Sequence, residues 1–157
     1  MSTMHYGVNP RGPRWDHALA NRAEDDALVD TAPPHIVLAE DDDDARRLIR
    51  EWLWEEGCLV TEVATGTELA RVVGAYLVGG SAGLGIDAVV SDVRMPGASG
   101  MEILRRLRER DPALPVVLIT AFGSREVHRE AARLGATILD KPFDRARLLW
   151  HLDPCFP

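Results

Sequence analysis

From His35 onward the chain alternates strictly between short apolar runs and longer stretches with apolar residues at helical spacing, five of each. The runs are 35–39, Cys58 to Val63, 86–91, Pro115 to Ile119 and Ala136 to Leu139. Short apolar runs bounded by polar or turn-forming residues predict buried strands. The first stretch between them, about 43–56, carries Ala45, Leu48, Ile49, Trp52 and Leu53 on one face and stops at Gly57. Thr65 with Glu68 forms a capping box for a second helix, whose inner face is Leu69, Val72, Val73 and Tyr76. A third helix over about 100–110 turns Ile103, Leu104 and Leu107 inward, and a weakly apolar one spans about 124–134. Asp144 caps a last helix reaching about Leu152. Such alternation builds a parallel sheet covered on both faces. Right-handed crossovers then restrict the fold class to α/β with a doubly wound five-stranded sheet.

In the flavodoxin-like order 2-1-3-4-5, strands one and three are neighbours. Both deliver acids. The first runs into Glu40-Asp41-Asp42-Asp43-Asp44, and the third into Asp92. Ligands of open parallel sheets bind beyond the carboxyl ends of the strands. Asp42 to Asp44 are accounted for by a helix start, where partial positive charge favours acids. Glu40, Asp41 and Asp92 instead suggest a hard divalent cation with oxygen ligands, such as Mg²⁺. Strands four and five would add Thr120-Ala121 and Lys141-Pro142 to the same edge. A carboxylate there can attack phosphorus to give an aspartyl phosphate. A hydroxyl and an ammonium can hold the phosphoryl oxygens, and phosphoryl transfer needs little beyond positioning and charge stabilisation.

The fragments Glu40-Asp41, Val89-Val90-Ser91-Asp92-Val93-Arg94-Met95-Pro96-Gly97, Gly100, Thr120-Ala121 and Lys141-Pro142-Phe143 occur in that order. With them the stretch from about His35 to Leu152 resembles the CheY-like receiver domain of two-component response regulators. The resemblance implies that Asp92 accepts a phosphoryl group from a histidine kinase or histidine phosphotransfer protein. It implies Mg²⁺ held by Asp41 and Asp92, by the backbone carbonyl of Arg94, and by Glu40 through water. Thr120 would bond the phosphoryl group and move on activation, Lys141 would pair with a phosphoryl oxygen, and the Lys141-Pro142 bond would be cis. Two departures stand out. Glu replaces Asp at position 40, a reach longer by one methylene. Ile138 occupies the place of the usual switch aromatic, in a fifth strand that looks one residue short, so the surface readout is expected to differ.

The net charge of −7 argues against a nucleic-acid binder. No run approaches the length of a membrane span, and the N-terminus has no signal-peptide pattern. A cytoplasmic location is expected, with Cys58 and Cys155 as free thiols. Residues 1–34 read as a flexible N-terminal extension, with a partner-binding arm around Trp15 as the sharper alternative. Residues 35–153 form the receiver domain and 154–157 a tail. The glycine-rich stretch 79–85 follows a helix and lacks the Gly-Lys-Ser/Thr ending of a phosphate loop, so it reads as a connector. Trp54 falls off the apolar face of its helix, and an exposed position is expected. Arg105 to Arg110 read as a solvated helix face. His5, His17, His35, His128 and His151 sit at no catalytic or metal spacing.

The expected function is that of a single-domain response regulator. It would not be an enzyme beyond its own phosphotransfer and dephosphorylation, and would signal to an unknown downstream protein target or relay the phosphate. The alternatives are a pseudo-receiver that is never phosphorylated and a receiver fragment of a larger kinase or regulator. An aspartyl-phosphate hydrolase of the haloacid dehalogenase type is disfavoured, because Arg94 stands where such enzymes carry a second acid.

Overall fold

The structure, a computed structural model, describes residues 32–79 and 85–156. Most of the N-terminal extension, with Trp15, and the centre of the glycine-rich stretch lie outside the described residues. In chain order the elements are β1 (His35–Ala39), α1 (Asp43–Glu55), β2 (Leu59–Val63), α2 (Gly66–Gly79), β3 (Ala88–Asp92) and α3 (Gly100–Arg108). They continue with β4 (Val116–Thr120), α4 (Arg125–Arg133), β5 (Thr137–Asp140), α5 (Arg145–Leu152) and a 3-10 turn over Asp153–Cys155. The five strands are parallel and lie in the order β2-β1-β3-β4-β5.

Alternate strand residues feed two cores. Val37, Ala39, Val89, Val116 and Leu118 meet Leu69 and Val73 of α2, Ile103, Leu104 and Leu107 of α3, and Ala131 of α4. Ile36, Leu38, Val90, Val117, Ile119 and Leu139 meet Ile49 and Leu53 of α1 and Leu148 and Leu152 of α5. Every residue of β3 and β4 is buried, as expected of central strands covered on both faces.

The last three strands run one residue further toward their carboxyl ends than the apolar runs predict, and begin one or two residues later. Asp92 pairs with Ile119, and Thr120 with Asp140. Ladder hydrogen bonds need only backbone, so the strands continue through the polar residues after the apolar pattern stops. On α1, Leu48 is 48 % exposed rather than inward, because the buried stripe centres on Ile49 and Leu53. Trp54 is half-buried rather than exposed: it packs on the second core, with the Arg50 guanidinium 4.6 Å above its ring. At α2, Glu68 N donates to Thr65 Oγ1, and the Glu68 carboxylate reaches back to accept from Ala64 N. Ser99 and Glu102 form a complete box at α3. Both thiols are free, and burial raises Cys58 to about 12 and Cys155 to about 11.

The first turn of α2 braces the loop that follows β3. Gly66 N donates to Pro96 O (2.9 Å), and a methyl on Gly66 would fall 1.6 Å from the Ala98 carbonyl oxygen. Gly66→Ala should therefore cost about 2–3 kcal/mol of stability. Gly74→Ala, facing open space in the same helix, should gain up to about 1 kcal/mol. Urea midpoints of the two variants check the contrast.

Candidate functional site

The five-acid run splits where β1 gives way to α1. Glu40 is turned inward and only 1 % exposed, while Asp41 is exposed. Asp42 is the N-cap of α1, accepting from Ala45 N at 2.8 Å. Asp43 and Asp44 sit in the first turn and pair with Arg46 and Arg47. β3 ends on Asp92, also buried. Because β1 and β3 are neighbours, carboxylate oxygens of Glu40, Asp41 and Asp92 lie within 4.8 Å of one another.

One cation reaches into this cluster. Lys141, just beyond β5, donates from Nζ to Glu40 Oε2 (2.6 Å) and Asp92 Oδ2 (2.8 Å). Its backbone N donates to Thr120 O (2.8 Å), which ties the ends of β4 and β5 together beside the site. The Lys141–Pro142 peptide is cis. Burial pushes the Glu40 carboxyl above the usual range, and the contact with Lys141 offsets this only in part. Burial also works against the Lys141 ammonium, but its bonds to Asp92 and Glu40 outweigh that and raise its pKa. The ammonium thus stays charged, while Glu40 still lacks full compensation for its ionised form.

The remaining residues frame the pocket. Asp92 Oδ1 accepts from Arg94 N (2.7 Å). Thr120 is buried, and its Oγ1 accepts from Phe122 N (3.1 Å). The Arg94 guanidinium lies 5.5 Å from the centroid of the exposed Phe122 ring. Gly100 packs so closely that a methyl on it would fall 2.4 Å from Asp92 O. Ile138 is half-buried against the core shared with α2, α3 and α4. Arg46 is a participant that the sequence did not disclose. It donates to Glu40 O at 2.7 Å and anchors the backbone of the buried acid.

The donor set suits Mg²⁺. Three carboxylates supply hard oxygens, and a six-coordinate ion with ligands at about 2.1 Å spans about 4.2 Å between opposite oxygens. The observed cluster needs little closure to reach that size, and a second positive charge answers the buried Glu40.

Comparison with known proteins agrees with this geometry. Residues 36–153 match the family described as the response regulator receiver domain. The chain is 32% identical over 127 residues to Protein PetR of Rhodobacter capsulatus, covering 80% of this chain and 50% of that protein. It is 34% identical over 125 residues to the transcriptional regulatory protein FixJ of Azorhizobium caulinodans, covering 78% and 54%. The chain therefore spans about half the length of these relatives. Among solved structures, the chemotaxis protein CheY4 of Vibrio cholerae superposes with a TM-score of 0.65 at 26% identity, covering 80% of this chain and 100% of that one.

Millimolar MgCl₂ should raise the melting temperature of the wild type by about 3–5 °C at roughly tenfold excess over the dissociation constant. Asp41→Asn should lose most of that gain, as thermal melts with and without Mg²⁺ will reveal.

Proposed function

Because the chain belongs to the response regulator receiver domain family of two-component systems, we propose that Asp92 accepts a phosphoryl group from a phosphohistidine of a histidine kinase or histidine phosphotransfer protein. The observation that carries this is the Lys141 ammonium held between Glu40 and Asp92 at the rim of a three-carboxylate cluster.

The step is a displacement at phosphorus. An Asp92 carboxylate oxygen forms the P–O bond as the donor's P–N bond breaks. The electron pair goes to the imidazole, which departs neutral when its other ring nitrogen is protonated. Asp41 and Asp92 would hold Mg²⁺ with the Arg94 carbonyl, Glu40 would act through water, and the ion would supply positive charge against the phosphoryl oxygens. Lys141 exchanges its contact with Asp92 for a phosphoryl oxygen. The Thr120 hydroxyl donates to another, and in doing so moves the loop behind it.

Phosphorylation then changes which protein partner binds, or the phosphate passes onward. The module acts in the cytoplasm. Among the described residues no helix is long and apolar enough to cross a membrane. The net charge of −7 argues against direct nucleic-acid contact. Ile138 favours a second reading, a pseudo-receiver that binds partners without phosphate, because an isoleucine cannot provide the ring movement of an aromatic switch.

Mg²⁺ with a small phosphodonor should label the wild type on one residue, and Asp92→Ala should abolish the label. Full labelling of that variant, read by intact mass, would remove Asp92 from its role. Arg94 and Phe122 limit water access, so Arg94→Ala and Phe122→Ala should each shorten the half-life of the acyl phosphate in a dephosphorylation time course.

A further inference from the structure

Three residues after Thr120, Gly123 is wedged between two side chains from different elements. A methyl on it would fall 2.4 Å from Asp140 Oδ1 and 2.4 Å from His128 Cε1. Those two side chains are joined: His128 Nε2, on α4, lies 3.0 Å from Asp140 Oδ2, the last residue of β5. The other ring nitrogen, Nδ1, lies 3.0 Å from Ser124 O, at the start of α4. The imidazole is therefore tied to the β4–α4 loop through Ser124, to β5 through Asp140, and lies against Gly123 between them. Asp140 is paired in the ladder with Thr120 and precedes Lys141, whose backbone N bonds Thr120 O. The cluster thus spans the segment from Thr120 to Ser124 and connects through backbone to both Thr120 and Lys141.

We propose that His128 and Asp140 are positioning residues whose pair latches the β4–α4 loop, and with it Thr120, in the resting arrangement until a phosphoryl group arrives. This rests on the reading of Asp92 as phosphoacceptor and of Thr120 as its hydroxyl partner. Only glycine fits against both members of the pair, and the ring bonds both the loop, at Ser124 O, and Asp140, so a loop drawn toward the phosphoryl group pulls imidazole from carboxylate. The latch lies beside Ile138, where an aromatic ring is missing, and offers this chain another route from the loop to the α4–β5 face.

The pair also makes the switch sensitive to acid. The Ser124 carbonyl, and then Asp140, raise the His128 pKa. The charged groups around the ring are few. Asp140 faces it from β5, and the Lys141 ammonium beyond is committed to Glu40 and Asp92. On its own helix, Arg129 Nε bonds the Arg125 carbonyl, and Glu130 is paired with Arg105 of α3; Arg125, Glu126 and Arg133 are the remaining charges of α4. A group whose pKa is raised in one state favours that state below the pKa. The protonated imidazole therefore holds the latch closed, and it loosens as pH rises through the titration.

The test is an NMR titration of the histidine ring signals over roughly pH 5 to 8, with Mg²⁺ present, with and without beryllofluoride as phosphoryl mimic. His128→Gln identifies the His128 resonance by its loss. Asp140→Asn should lower the His128 pKa in the resting protein. Beryllofluoride should lower it in the wild type and leave it unmoved in Asp140→Asn, a coupling that is reciprocal by linkage. At the acid end, Asp140→Asn should bind beryllofluoride about twofold to fivefold more tightly than wild type. Beryllofluoride that binds while the His128 titration stays fixed overturns the latch alone. Beryllofluoride that does not bind at all overturns the phosphoacceptor reading and takes the latch with it.

Discussion

Two buried carboxylates that share one lysine govern the carboxyl edge of this sheet. Glu40 and Asp92 come from adjacent strands, so the parallel pairing that stabilises the core also forces like charges together. Burying such charges unpaired would be costly, and Lys141 relieves that cost from the far side of the sheet. The arrangement leaves a remainder. With Asp41 nearby, one ammonium faces three carboxylates, and the excess negative charge suits a divalent cation.

The rest of the edge is held against this charge cluster by backbone contacts. Gly66 lets α2 approach the loop after β3, and Gly100 lets α3 approach the end of β3, more closely than any side chain would allow. Arg46 fixes the Glu40 carbonyl. Arg108 performs a similar task lower in the structure, donating to the carbonyls of Asp111, Leu114, Leu134 and Gly135 and so binding the end of α3 to the turn before β5. The site is thus carried by short, well-tied segments on both sides, and the residues of the β4–α4 loop from Ala121 to Ser124 are exposed.

Much of this was visible in the chain itself. The alternation of apolar runs announced the parallel sheet because central strands must be apolar on both faces. The acids at 40, 41 and 92 announced a carboxylate cluster because two neighbouring strands of a parallel sheet end on them. What escaped had physical reasons. Strand ends were misplaced by a residue because ladder bonds ignore side-chain polarity. Leu48 and Trp54 were misassigned because helical periodicity gives a stripe but not its edges, and an arginine stacked on a ring can shelter it. Arg46 and the His128–Asp140 pair were invisible because each acts across elements whose mutual placement no local pattern encodes.

The long reach of Lys141 has a consequence for the order in which the protein is made. Its partners lie 49 and 101 residues earlier in the chain. A chain leaving the ribosome therefore holds β1, β3 and all three carboxylates well before the ammonium that balances two of them exists. Until that residue emerges, cations from solution are the available counter-charge, and the first half of the sheet is left electrostatically incomplete. The native edge can close only once the fifth strand has been made and brings its lysine across.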